Sequence, residues 1–299
     1  MKKKIITICA AVLFLTALGL TLYPLISNYV NQKYASEIQT AYQKLIQQTD
    51  DSVLQEAKQR AIAYNLAITP GTADAYSEES LSSAVEDYES QLDIAGNGII
   101  GYVEIPKIQV NLPIYHGTDA EVLDRGVGHL LGSSLPVGGE NTHCVLAAHR
   151  GLPSARLFSD IDQLEEGDMI YLHILGEVHA YRVENILPMV PKDDFETLNK
   201  ALRILHGQDW LSLMTCTPYG INTHRLIVQA KRVAYNGEDD APTQPVQAVI
   251  HYTARSFRRA YTLYIGAAVI ILLVVVLILR RRKKRHSPKA TPHNSRLTA

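Results

Sequence analysis

Cysteine is scarce in this chain: three occur among 299 residues, with one tryptophan and four phenylalanines. Cys9 lies in an apolar run, so Cys144 and Cys216 are the two thiols of the remaining sequence. A disulfide between them is possible in an oxidising compartment, but it would leave no free thiol outside the apolar run. We therefore interpret Cys144 as a small buried strand residue. Without Cys-x-x-Cys or His-x-x-x-His pairs, no metal site is expected.

Acidic residues are absent from both ends of the chain. Residues 1–4 carry three lysines, and residues 280–299 carry eight lysines or arginines. Of the 29 basic and 30 acidic residues, 18 basic and all 30 acidic ones therefore lie between the ends, a net charge near −12. An acidic middle without a basic stripe does not suit a phosphate backbone, so we expect no nucleic-acid partner.

Long apolar runs occur twice, at Ile5–Tyr23 and Tyr261–Leu279. Each is about as long as a helix that crosses the hydrocarbon core. Basic residues flank the outer end of both, so the positive-inside rule places both termini in the cytoplasm and the middle of the chain outside the cell membrane. We predict an N-terminal transmembrane segment or signal anchor over 1–27, a C-terminal transmembrane helix over 261–279 and a basic cytoplasmic tail over 280–299. Cleavage of the first run as a signal peptide is the alternative.

A polar segment over residues 28–97 follows the first apolar run. Apolar residues at steps of three and four between Asn28 and Ala67 predict an amphipathic helix that rises from the membrane. Pro70-Gly71 would end it, and a loop over 72–83 would lead to a second helical piece near Leu81–Leu92. We expect a helical extension whose role is packing and spacing.

Short β-type runs follow one another closely between residues 98 and 235, divided by Gly, Pro, Asn and Asp. This close succession of short strands and turns predicts a mostly β domain built as a closed or nearly closed barrel. A flexible linker over 236–260 would follow it. The strand candidates are Ile99–Ile105, Ile108–Ile114, Thr142–Ala148, Met169–Ile174, His179–Met189, Trp210–Thr215 and Leu226–Val233, with short helices at Leu152–Leu164 and Phe195–Leu202.

Three reactive side chains stand at predicted strand ends. Cys216 ends one strand and Arg225 begins the next, so a thiolate that attacks a carbonyl would face a cation that holds the oxyanion. His149 ends another strand and supplies a base. The neighbouring Arg150 and His224 are expected to point away, because alternate strand residues face opposite sides. The pattern indicates an acyl-transfer site.

These residues lie in motifs that resemble the sortase family, particularly its class C, pilin-polymerising members. The resemblance runs from about Gly98 to Arg232. Its motifs are Gly101–Ile108, Leu112–Gly117, Gly126–His129, Ser134–Gly139, Ala148-His-Arg-Gly-Leu-Pro153 and Thr215-Cys-Thr-Pro-Tyr-Gly-Ile-Asn-Thr-His-Arg225. It implies a barrel of about eight strands in which Cys216 is the nucleophile, His149 the proton donor and acceptor, and Arg225 the oxyanion-stabilising group.

The resemblance also implies a reaction. A membrane-anchored cysteine transpeptidase would cleave a Leu-Pro-x-Thr-Gly-like sorting signal between Thr and Gly, without a cofactor, and join the acyl group to a lysine amine of a pilin subunit. The same chemistry with a cell-wall precursor amine as acceptor would anchor surface proteins instead. With water as the acceptor, it would be a protease. A non-catalytic membrane-tethered adhesin or assembly scaffold is the alternative from another class.

Two further site assignments follow from the resemblance. Thr215 is predicted to lie in the groove and to orient the substrate or the oxyanion. Class C sortases often carry a lid with an Asp-Pro-aromatic motif, and Asp74-Ala75-Tyr76 stands at a suitable distance before the barrel. Alanine in place of proline would make that lid less rigid. An ordinary surface loop is the alternative for residues 72–83.

Overall fold

The computed structural model describes residues 2–67, 87–235 and 237. All of these belong to one compact unit, Met1–Thr243. Four predictions fall on residues outside the described ranges: the lid with Asp74 and Tyr76, nearly all of the linker, the C-terminal transmembrane helix over 261–279, and the basic tail.

Eight short strands close into a barrel. They are β1 (Ile99–Ile105), β2 (Val110–His116), β3 (Val127–His129), β4 (Thr142–Ala147), β5 (Met169–Ile174), β6 (Glu177–Pro191), β7 (Asp209–Thr217) and β8 (His224–Arg232). The order around the barrel is β1-β2-β3-β4-β7-β8-β6-β5, and β5 pairs with β1 to close it. Neighbours are antiparallel except for two parallel pairs, β2 with β3 and β4 with β7. The predicted closed eight-stranded barrel is confirmed.

Four helices accompany the barrel among the described residues: α1 (Lys2–Gln48), α2 (Asp51–Ala67), α3 (Ala120–Arg125) and α4 (Phe195–Leu202). Instead of one amphipathic helix over Asn28–Ala67, α1 continues unbroken from the apolar run and a new helix starts at Asp51. The carboxylate of Asp50 causes the new start, because it accepts a hydrogen bond of 2.8 Å from the backbone N–H of Ser52 and so caps α2.

The N-terminal helices cover one side of the barrel. Strand β1 is buried along its whole length, and α1 packs on it through Tyr42, whose hydroxyl donates to the carbonyl of Ile100 at 3.4 Å. Tyr102 of β1 accepts a hydrogen bond of 2.8 Å from Gln43. Lys58 of α2 pairs with Glu177 at 2.6 Å. Through these contacts the helical extension packs against the barrel.

Membrane anchoring rests on α1. Among the described residues, it is the one helix that is long and apolar enough to cross a membrane, with a mean hydropathy of 1.9 over its best window. This supports an N-terminal anchor by length and composition.

Two local predictions need correction. The segment Leu152–Leu164 is not a helix but a series of turns with one 3₁₀ turn at Ile161–Gln163, held by the buried side chain of Phe158. The second strand begins at Val110 rather than Ile108, because Gln109 has a positive φ of 54°. The predicted helical piece near Leu81–Leu92 lies partly outside the described residues; residues 87 and 88 are helical, and the residues after them form turns.

Candidate active site

Cys216 and Arg225 lie directly opposite each other at one end of the barrel. Cys216 is the second-last residue of β7, Arg225 is the second residue of β8, and the two are partners in the antiparallel ladder. Paired residues of an antiparallel ladder project to the same face of the sheet. Both side chains are half-buried, so they combine a fixed position with access from solvent.

His149 reaches the same level from the other side of β7. Strand β4 runs parallel to β7 with Ala147 beside Met214. The backbone N–H of Ala148 then donates to the carbonyl of Met214 at 3.2 Å, which continues the register beyond the strand. One residue further along, His149 comes level with Cys216. The three predicted side chains therefore stand on three adjacent strand ends.

Asp124 is a neighbour of His149 that the sequence pattern did not indicate. Its carboxylate lies 3.7 Å from Nε2 of His149, and its own side chain is 62% exposed. Asp124 belongs to the short helix α3, which no sequence signal predicted. A pair this open to water contributes little to stability, and at 3.7 Å it is longer than a hydrogen bond.

Thr215 joins the two strands that carry His149 and Cys216. Its side chain is 2% exposed. The hydroxyl donates a hydrogen bond of 2.7 Å to the carbonyl of Ala148, the residue before His149. Thr215 thus lies beneath the surface of the site and holds its strand ends together.

Arg150 makes a second link between the same strands. Its guanidinium donates to the hydroxyl of Thr217 at 3.2 Å and pairs with Asp162 at 2.5 Å. The Arg150 side chain is 12% exposed, so both contacts are shielded from solvent on the arginine side. Along the two strands, the pair of His149 and Cys216 therefore lies between two side-chain hydrogen bonds. Thr215 donates to Ala148 just before the pair, and Arg150 donates to Thr217 just after it.

The other cysteine and the buried histidines have structural surroundings. Cys144 and Cys216 are both free thiols, and burial raises the pKa of the Cys144 thiol well above its ordinary value. His143 lies 2.8 Å from the hydroxyl of Ser212, and burial lowers the pKa of its imidazole. Burial also lowers the pKa of His129 to about 4. Within the described ranges, no group of three His, Cys, Asp or Glu side chains is placed to hold a metal ion.

The loop between β7 and β8 borders the site. Tyr219 in this loop packs against Gly151, where an added Cβ would lie 2.9 Å from the tyrosine ring. Gly151 also has a φ of +81°, which disfavours any side chain. Tyr219 and Ile221 are 63% and 66% exposed.

A cysteine, a histidine and an arginine at one rim of a closed eight-stranded barrel define a class of β-barrel proteins with the groups that cysteine-based acyl transfer requires. The sortase domain family model matches residues 103–233, from within β1 to just past the end of β8. Sortase D of Bacillus subtilis is 36% identical over 136 residues, which are 44% of this chain and 63% of that protein. Sortase A of Streptococcus agalactiae is 30% identical over 136 residues, 44% of this chain and 52% of that protein. The matches thus span less than two thirds of both curated relatives.

Solved structures cover more of the chain. Sortase C of Streptococcus pneumoniae is 43% identical with a TM-score of 0.58, and the match covers 67% of this chain and 97% of that one. Sortase C1 of Streptococcus agalactiae is 41% identical with a TM-score of 0.60, covering 67% of this chain and 100% of that one. The chain therefore belongs to the sortase family, and class C sortases are among its structural neighbours. The family resemblance predicted from the motifs is confirmed.

Proposed function

We propose that this protein is a membrane-anchored transpeptidase that cleaves a Leu-Pro-x-Thr-Gly-like sorting signal between Thr and Gly and joins the new acyl end to a lysine amine of a pilin subunit. The observation that carries the proposal is the ladder pair of Cys216 and Arg225, with His149 at the same level on the adjacent strand. Membership of the sortase family supports the reaction class.

The first half of the proposed reaction forms a thioester. The thiolate of Cys216, whose proton has passed to His149, attacks the threonine carbonyl, and the guanidinium of Arg225 holds the negative oxygen of the tetrahedral intermediate. The C–N bond to glycine then breaks as His149 gives a proton to the leaving amine.

The second half transfers the acyl group. The incoming amine gives a proton to His149 as its nitrogen attacks the thioester carbonyl, and Arg225 again holds the oxyanion. The C–S bond breaks, the amide forms and Cys216 is restored as a thiolate. The thioester conserves the free energy of the cleaved amide, so the proposed cycle needs no cofactor.

The acceptor and the lid belong to the same proposal. The structure of Streptococcus pneumoniae sortase C has been described in terms of pilin substrate specificity, which supports a pilin lysine as the acceptor here. We further propose that residues 72–83, with Asp74 and Tyr76, form a lid over the site. For Thr215, its hydrogen bond to Ala148 supports a positioning role beneath the groove.

Mass spectrometry of the full chain tests the proposal. The protein in phosphatidylcholine nanodiscs is incubated with a Leu-Pro-x-Thr-Gly peptide, with and without a lysine-bearing acceptor peptide. We expect an acyl adduct on Cys216 that the acceptor converts into an isopeptide. The Asp74→Ala/Tyr76→Ala variant serves as the lid-open control. Absence of an adduct in both proteins would contradict this substrate class.

The link made by Arg150 leads to a separate prediction. Arg150→Met keeps the aliphatic stem but removes both polar contacts, so His149 and Cys216 lose the link on one side. Displacement of the reacting pair is expected to lower kcat by about tenfold, equivalent to ~1.4 kcal/mol of activation free energy, with little change in KM.

Thr217→Val is the matched control for Arg150. It removes the acceptor of one Arg150 hydrogen bond and leaves the ion pair with Asp162 in place. We expect a smaller fall in kcat than in Arg150→Met, because one of the two polar contacts of Arg150 remains. If kcat stays at the wild-type value in Arg150→Met while only the melting temperature falls, Arg150 stabilises the fold and does not position the site.

A further inference from the structure

Helix α1 lies along the barrel, and its C-terminal part contacts the end opposite the site. Ile46 packs against Gly176 in the turn between β5 and β6, where an added Cβ would lie 3.1 Å from the Ile46 side chain. The hydroxyl of Tyr42 accepts a hydrogen bond of 3.0 Å from the backbone of Leu175 in the same turn. Strand β6 starts at this turn and ends next to Arg225. The turn and the site are therefore at opposite ends of the barrel.

The N-terminal side of the docked part of α1 reaches the site end. Asn28 accepts a hydrogen bond of 3.0 Å from the backbone N–H of Arg156. Asn31 donates one of 2.8 Å to the carbonyl of Ser154. Both contacts fall on the segment that follows His149. From Asn28 to Ile46 a helix rises by about 27 Å, so α1 runs along the barrel with its membrane side toward the site.

The apolar run of α1 ends close to these contacts. Asn28 follows Tyr23, the last residue of the run, by five positions, or about 7.5 Å of helix. The headgroup region on each side of a bilayer is about 5–8 Å thick. Tyr23 and Tyr29 are 55% and 42% exposed, and tyrosine is typical of that interface. The segment that contacts Asn28 therefore lies at headgroup level.

Exposed apolar side chains collect at the same end of the barrel. Within residues 98–235, the exposed large hydrophobic side chains are Met189, Phe195, Tyr219 and Ile221. All four follow or end the strands that lead to the site, namely β6 and β7. Tyr219 packs on Gly151, three residues before Ser154, which contacts Asn31 of α1.

We infer that Tyr219 and Ile221 contact the lipid–water interface, so that the end of the barrel with Cys216 rests on the membrane from which α1 emerges. Charge does not drive the contact, because the part of the chain between its basic ends is acidic. The surface therefore suits a neutral lipid interface, where tyrosine is favoured. The inference goes beyond the proposed transpeptidase and does not depend on it.

Fluorescence quenching by lipid tests the contact. The full chain is placed in phosphatidylcholine nanodiscs whose lipids either carry bromine on the acyl chains near the headgroup or carry none. The Tyr219→Trp variant adds a tryptophan to the proposed surface. The native Trp210 lies at the far end of β7 and gives the same background in every variant. We expect brominated lipid to cause a loss of emission from Tyr219→Trp beyond the loss in wild type. Ile221→Trp repeats the measurement without altering the packing of Tyr219 on Gly151.

The matched control is His206→Trp, an exposed position three residues before β7 begins, at the end of the barrel opposite the site. It should lose no more emission than wild type. Equal quenching of the Tyr219 and His206 variants would overturn the inference. So would a Tyr219→Trp signal that lipid leaves unchanged but a Leu-Pro-x-Thr-Gly peptide alters, because the surface would then bind the substrate and not the membrane.

Discussion

Cys216→Ala is expected to abolish the acyl adduct and to reduce turnover of a Leu-Pro-x-Thr-Gly peptide to background. Loss of a covalent nucleophile costs roughly 10⁶-fold in kcat where it has been measured in a comparable acyl-transfer site. The alanine variant leaves the fold intact, since Cys216 is half-buried near the end of a strand and its side chain is not part of the main core. The measurement is intact mass together with steady-state turnover.

Cys144→Ala is the internal control for this result. Cys144 is a free thiol like Cys216, but it is 2% exposed within the barrel core. Its loss should lower stability by ~0.5–3 kcal/mol, the usual range for a single substitution, and leave the adduct on Cys216. An adduct that persists in Cys216→Ala and disappears in Cys144→Ala would reverse the assignment. Pilus or surface-protein assembly that is unaffected by Cys216→Ala in cells would instead favour the non-catalytic scaffold.

Arg225→Ala is expected to lower kcat by about 10²–10³-fold, the usual cost of removing one oxyanion-stabilising donor. The oxyanion forms only after attack by Cys216, so KM for the peptide should change little. Arg225→Lys should recover part of the loss, because it keeps the charge but not the forked geometry of the guanidinium. Separate measurement of kcat and KM for each variant checks this.

The neighbouring His224 provides the matched control. It pairs with Thr217 in the ladder, and its Nδ1 lies 2.9 Å from the hydroxyl of Thr223. His224→Ala should therefore change kcat by less than about threefold, within the ~0.5 kcal/mol typical of surface substitutions. A rise in KM with unchanged kcat in Arg225→Ala would mean that the arginine binds the ground-state substrate and has no special role in the transition state.

Most strands of the barrel could be predicted from local patterns. The strands Ile99–Ile105 and Met169–Ile174 and the helix Phe195–Leu202 have the predicted bounds, because each is a short apolar or amphipathic run between turn residues. Strand β3 was missed since three residues are too few to form a pattern. The turns over 152–164 resemble a helix in sequence because the barrel buries their apolar residues. A buried loop and the buried face of a helix both require apolar residues, so the sequence does not distinguish them here.

The active site also has parts that the sequence predicts and parts that it does not. The facing of Cys216 and Arg225 follows from sequence alone, because a loop of this length between two apolar runs joins adjacent antiparallel strands. The place of His149 does not, because β4 and β7 are parallel strands and their contacts join residues 67 positions apart. Asp124 next to His149 had no sequence signal at all.

By itself, the sequence determined the apolar N-terminal segment, the positions of most barrel strands along the chain, and the hairpin that carries Cys216 and Arg225. These features depend on the hydrophobicity and turn preference of neighbouring residues. Only the tertiary structure decided that His149 stands level with Cys216, that Thr215 and Arg150 link their strands on either side, and that the N-terminal side of the docked part of α1 lies at the site end of the barrel. Those features depend on which distant strands pair and in which register. That choice is made by the packing of the whole core, and no local stretch of residues encodes it.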